Sequence, residues 1–219
     1  MDQVIIENHG AAIFHSKRPI WADSSNKLVW VIDRLATLFP DAKFLAVMRD
    51  GRKVCSSFYY KLREEMYDDD SVAQLSAWLR NSAGIAPPAE KRYWWNIPQP
   101  GQPFHEVFGT FDRLQRVCYH WNEANRTILD CFSKLNADRT KIVRLEDLNE
   151  DAALLKSCIE FMGLSYDRCY FEYLQTPRNV FLPLDFQLTR GQLAKFYEIC
   201  DPIMEKLGYT DERTYRVEY

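Results

Sequence analysis

The residues best suited to chemistry on an anion are Arg49, Ser57 and Lys61, inside the stretch KFLAVMRDGRKVCSSFYYK that runs from 43 to 61. A guanidinium grips a phosphate through two parallel hydrogen bonds, a hydroxyl adds a neutral donor, and an ammonium adds a point charge. The flanking pattern says how they would be positioned. Lys43 to Met48 form a short apolar run after Phe39-Pro40-Asp41, which predicts a buried strand of the kind found in parallel sheets. Val54, Phe58 and Leu62 then recur at helical spacing, which predicts a helix behind the Arg49-Asp50-Gly51-Arg52 turn. In an open α/β sheet such a unit points the free N–H groups and the positive dipole end of the helix at the carboxyl edge of the sheet, where anions bind. Ser57, eight residues after Arg49, falls about two turns along the helix, with Lys61 one turn beyond. An ordinary βα turn with solvated arginines accounts for the same residues and predicts no ligand.

The rest of the chain supplies the elements around this unit. Upstream, Leu28, Val31, Ile32, Leu35 and Phe39 mark one face of a helix, with Ser24, Ser25 and Asn26 as capping residues. Asp23 and Lys27 on that approach are the best candidates for a base and a neutralising cation; Asp23 would act as a base if burial raised its pKa, and helix capping is its other role. The first twenty residues show short apolar runs that fit strand or helix ends, and His9 and His15 read as surface or capping residues. Residues 63–70, REEMYDDD, read as an acidic solvated loop before a helix over 71–82 that Pro87 and Pro88 close. Two tryptophans and three prolines make the region from Tyr93 to Phe108 irregular, either an acceptor-side wall or packing over the core, with His105 on it as a base candidate. Leu114, Val117, Cys118, Trp121, Ala124, Ile128, Leu129 and Phe132 predict a long core helix over 110–135, with His120 as a structural histidine. KIVRL at 141–145 reads as a second strand, and helices follow over 151–163 and 189–207.

The segment RDGRKVCSS resembles the 3′-phosphate-binding segment of sulfotransferases that use 3′-phosphoadenosine 5′-phosphosulfate, and Arg49 and Ser57 fall at its arginine and serine. Lys61 falls where the protein-tyrosine sulfotransferases, whose motif also reads RDGR, carry a basic residue. Phe39 to Phe44 is similar to the strand entry of bacterial and protein-tyrosine members, and Gly163-Leu164 and Gly208-Tyr209 to the family's helix endings. The resemblance spans about residues 20–209 and implies an α/β fold over 1–219 as one domain, a short parallel sheet flanked by helices of the P-loop nucleotide-hydrolase-like type. It implies transfer of a sulfuryl group from that nucleotide to a hydroxyl-bearing acceptor, whether small molecule, glycan or peptide. Arg178, in Thr176-Pro177-Arg178-Asn179, falls where relatives bring a basic loop back over the 3′-phosphate.

The departures from the family matter as much. Leu145 stands where relatives carry a tyrosine near the adenine, and the loop before Asn26 lacks the lysine they place there. None of the eight glycines is followed by a Lys/Arg-Ser/Thr pair, so the family's glycine-rich phosphosulfate loop and first βα unit are not found. Three readings follow: an N-terminally incomplete chain, a loop supplied by another polypeptide, or a non-catalytic nucleotide-binding or interaction module derived from a sulfotransferase.

Bulk composition bounds the partners. With 219 residues and 47% hydrophobic content the chain can bury one substantial core. A formal net charge of −3 gives no global attraction to nucleic acid or to an anionic membrane, so any anion site must be a local concentration of positive charge. The six cysteines stand singly, without Cys-x-x-Cys or metal-ligand spacing, and are expected to pack as small apolar residues in a reducing compartment, with no metal. No apolar run reaches membrane-spanning length and the start MDQVIIENHG has no signal-peptide pattern, so the expectation is a soluble, cytoplasmic chain.

Overall fold

The computed structural model describes residues 2–62, 67–80, 86–87, 96–176 and 187–210. Along the chain it contains α1 (Asp2–Ile5), a π-helical turn (Ile6–Gly10), α2 (Ala11–Ser16), a 3-10 turn (Asn26–Val31), α3 (Ile32–Leu38), β1 (Phe44–Met48), α4 (Gly51–Lys61) and α5 (Asp69–Arg80). After the irregular 96–107 region come α6 (Arg113–Phe132), β2 (Thr140–Arg144), α7 (Leu145–Glu150), α8 (Ala152–Phe161), α9 (Arg168–Leu174) and α10 (Arg190–Lys206). The fold is therefore the expected α/β arrangement, a short parallel sheet flanked by helices. Two compact units divide it: 1–48 with 127–178, and 49–126 with 179–219, the boundary falling inside α6.

The first unit holds the sheet. β1 and β2 pair in parallel, from Phe44 opposite Thr140 to Met48 opposite Arg144. Val143, Leu148 and Cys158 form a buried cluster, with Leu45, Leu154, Leu155 and Leu174 packed against it. Arg139 fixes the entry to β1: its guanidinium donates to the carbonyls of Ala36, Phe39 and Ala42, at the end of α3 and in the Pro40 turn, where Phe39 O also accepts from Ala42 N–H. α8 closes on Gly163, at φ +79°, with Gly163 N–H bonded to Glu160 O and Leu164 N–H to Ile159 O. That left-handed reversal is why a glycine ends this helix.

The second unit is built on α4, α6 and α10. α4 and the first half of α6 run antiparallel: Arg113 donates to Tyr59 O at 2.7 Å, the Cys55 thiol faces Val117 O at 3.9 Å, and the Gly51 backbone abuts Trp121. α10 joins them through Tyr60 with Gln192, Arg52 with Tyr197, and Cys200 with the Cys118 carbonyl. Cys55, Cys118 and Cys200 are buried there as expected of small apolar residues, whereas Cys169 on α9 is exposed, contrary to that expectation. It follows Asp167, whose carboxylate caps the exposed first turn of α9.

Other element boundaries differ in instructive ways. Asp69 and Asp70 belong to α5 rather than to the acidic loop, because carboxylates in a first turn oppose the positive helix end and Asp68 accepts from Ser71 N–H. The long helix begins at Arg113, after a 3-10 turn at Phe108–Thr110 and with Asp112 accepting from Gln115 N–H. Residues 2–16 are helical, and α7 intervenes between β2 and the predicted following helix.

Candidate functional site

The turn after β1 is organised by its own side chains. Asp50 caps α4, accepting from Arg52 N–H at 2.9 Å. The same carboxylate receives the Arg52 guanidinium as a fork, with Nε at 3.0 Å from one oxygen and the terminal Nη2 at 2.7 Å from the other. Arg52 also donates to the Tyr197 hydroxyl at 3.2 Å, and its side chain is 2% exposed. Burial opposes its charge, but the bonds and charge of Asp50, helped by Tyr197, raise its pKa further. Arg52 is thus consumed in holding the turn.

Gly51 lets that turn close. A Cβ at this position would lie 2.8 Å from the Trp121 ring and 2.9 Å from Phe196, so only glycine fits.

Arg49 is the remaining guanidinium of the motif. It is half-buried and makes no hydrogen bond or ion pair among the described residues. Ser57 is half-buried on α4, likewise without a partner among the described residues, and Lys61 is half-buried and engaged in a contact of its own. Sequence reasoning missed Lys53, which stands four residues after Arg49 and four before Ser57. Lys53, Ser57 and Lys61 share one helical face by their four-residue spacing, and that spacing was the available signal. A doubly negative phosphate at the head of α4 would face the positive end of the helix with Arg49 and Lys53 nearest, whereas Lys61 stands in the last turn, about 15 Å farther along the axis. The chemistry of the set fits a phosphate: cations and neutral donors, with the neighbouring carboxylate of Asp50 already neutralised by Arg52.

The other candidates are placed as follows. Asp23 is exposed; one oxygen accepts from Ser25 N–H at 2.8 Å and the other lies 3.7 Å from His9 Nδ1. Ser25, rather than Asp23, caps the following turn, accepting from Lys27 N–H at 3.2 Å. Asp23 and Lys27 belong to the first unit, and Arg49, Ser57 and Lys61 to the second. Arg178 lies outside the described residues, as do Tyr93, Trp94 and Trp95 of the aromatic stretch. His105 borders an open depression of about 360 Å³ with Gly101, Gln102, Phe104, Glu106 and Val107. Its Nδ1 is 2.9 Å from Pro98 O; a carbonyl only accepts, so Nδ1 carries the proton and Nε2 is the basic nitrogen of the neutral ring. His120 is structural as expected: Nδ1 meets the buried Tyr67 hydroxyl at 2.8 Å, and burial lowers its pKa to about 4.

A family model described as the sulfotransferase family matches residues 2–92, a segment that contains Asp23, Lys27, Arg49, Ser57 and Lys61. The match supports a sulfotransferase-like reading of that segment and takes in residues 2–20, which their pattern left unassigned. No curated protein and no solved structure matches the chain. Among the described residues no cluster could hold a metal ion, and no helix is long and apolar enough to cross a membrane.

Proposed function

We propose that the chain is a sulfotransferase-like protein that binds 3′-phosphoadenosine 5′-phosphosulfate and transfers its sulfuryl group to a hydroxyl-bearing acceptor. The observation that carries this reading is the division of labour in the Arg49–Arg52 turn: Arg52 is locked on Asp50, while Arg49 stands without a partner among the described residues at the head of α4. Arg49 and Ser57 hold the nucleotide's 3′-phosphate, with Lys61, Lys53 and Arg178 as further cations. In the reaction the acceptor oxygen attacks sulfur in line, the bond from sulfur to the bridging phosphate oxygen breaks, 3′,5′-adenosine bisphosphate leaves, and the hydroxyl proton passes to a base. Positioning and charge neutralisation are the protein's main contribution. Asp23 and Lys27 are the candidates for base and neutralising cation.

A second reading, a non-catalytic nucleotide-binding or interaction module, is favoured by the engagement of Asp23 with Ser25 and His9. Incubation with the labelled donor and a panel of small-molecule, glycan and peptide hydroxyls separates the two. Label transferred to any acceptor supports the enzyme; nucleotide binding without transfer to any of them supports a nucleotide-binding module; no nucleotide binding overturns both of these and leaves the interaction module.

A further inference from the structure

Residues 2–16 form one continuous helical stretch: the π-helical turn joins α1 to α2, with Ile5, Gly10 and Ala11 all in helical backbone conformation. One side of it is held to the first unit. Ile5 is buried, and His9, one turn on, meets the Trp21 ring edge-on at 5.5 Å. The next stripe faces solvent. Ile6, Gly10 and Phe14 follow one another at four-residue spacing, and a Cβ built on Gly10 would touch Ile6 Cγ2 at 3.7 Å, so the three share a face. Ile6 is 51% and Phe14 78% exposed, and Ile13 and Trp21 on the neighbouring stripe are 38% and 36% exposed. Four side chains of this size leave on the order of 400 Å² of apolar surface in water, a patch large enough to mark an interaction site.

The stripe is complementary to itself. Ile6 and Phe14 stand equally far to either side of Gly10, so two copies crossing antiparallel at Gly10 set Ile6 of each against Phe14 of the other. Gly10 puts no side chain at the crossing, which lets the two backbones approach closely. Charge runs in the same sense. Glu7 lies in the first half of the helix, and His15, Lys17 and Arg18 lie at its other end. An antiparallel pair therefore brings each acidic half toward a basic end and aligns the two helix dipoles head to tail. We infer that the chain pairs with a second copy of itself through the Ile6–Gly10–Phe14 face. Two such patches, with the polar flanks of the helices, cover roughly 1,000 Å², the size at which specific interfaces begin, so the dimer is a weak one of micromolar strength. A lipid surface suits the face less well: a carboxylate borders the stripe, its cations sit at one end, and a net charge of −3 gives an anionic bilayer little hold.

Sedimentation equilibrium of the full chain tests this from about 1 to about 200 μM, a range that brackets the strength expected of an interface this size. Reducing conditions keep the exposed Cys169 from linking copies. The parent is expected to pass from monomer to dimer across the range. Phe14→Asp should weaken the pairing by a hundredfold or more, because each dimer loses two buried phenylalanine rings, and Gly10→Leu should do the same by holding the backbones apart. Neither position belongs to the core, so the urea midpoint at the lowest concentration should stay at the parent's value. Should Phe14→Asp lower it, Gly10→Leu alone decides. Val4→Asp, exposed but off the stripe, should dimerise like the parent. A parent that stays monomeric at the highest concentration overturns the inference, as does a dimer that survives both stripe variants or is lost equally in Val4→Asp. A monomeric parent that sediments with vesicles containing phosphatidylglycerol assigns the face to a lipid surface and overturns it too.

Discussion

Replacing Asp50 by Asn isolates the ion pair that shapes the RDGR turn. Asparagine caps a helix about as well as aspartate, so the bond from Arg52 N–H survives. What is lost is the negative charge under the Arg52 fork and one of its two acceptor oxygens. With side-chain exposures of 2% and 7% the pair is buried, and breaking such a pair from one side costs about 3–5 kcal/mol because the remaining charge is left uncompensated. Asp50→Ala should cost about 1 kcal/mol more, the worth of the cap. Adding Arg52→Met to Asp50→Asn removes the stranded charge and should recover part of the loss, a non-additivity that distinguishes ion pairing from simple packing damage. Urea unfolding reads all three. At a slope near 2 kcal/mol/M, 3 kcal/mol moves the midpoint by about 1.5 M with the slope unchanged. An Asp50→Asn midpoint equivalent to less than about 0.5 kcal/mol from the parent refutes the assignment of Arg52 to a structural role.

Gly51→Ala should destabilise by about 1–2 kcal/mol, because overpacking against Trp121 and Phe196 outweighs the roughly 1 kcal/mol that alanine gains in helix propensity; a rise in the urea midpoint contradicts this. His120 titrates near 4 when folded against an ordinary 6.5, so the unfolded chain takes up its proton first as pH falls. Stability from this group is complete above about pH 6.5, declines down to about pH 4 and levels off below, by at most about 3 kcal/mol, and that portion of the pH dependence should be missing in His120→Gln. A thiol reagent should modify one cysteine of the native chain, Cys169, and all six after denaturation; reaction of a second thiol in the native state contradicts the burial of the other five.

Periodicity made β1, α4, α6 and α10 legible, because each buries one face or both and the apolar spacing records it. Residues 2–16 escaped for the converse reason: Ile5 is buried but Val4 and Phe14 are 59% and 78% exposed, so their apolar residues trace no continuous buried face, and a π-helical turn breaks the helical period. Arg49 and Ser57 could be picked out from the sequence as a spaced pair, but that Arg52 is held by Asp50 was not legible there. Residues two apart do not face each other on a helix, and Asp50 reaches Arg52 only because it stands outside the helix as its cap. Ser25 took the capping role from Asp23 through loop geometry that composition does not encode.

The central claim is that Arg49, free of protein partners among the described residues, is the ligand-binding guanidinium of the turn. Calorimetric titration of 3′,5′-adenosine bisphosphate into the parent chain and Arg49→Ala, at low and moderate salt, tests it most directly. The account predicts saturable binding by the parent that weakens with salt, a loss of tenfold or more in Arg49→Ala, and equal urea midpoints for the two proteins, since Arg49 holds nothing in place. Absence of binding at millimolar nucleotide, or equal affinity in parent and variant, would contradict it.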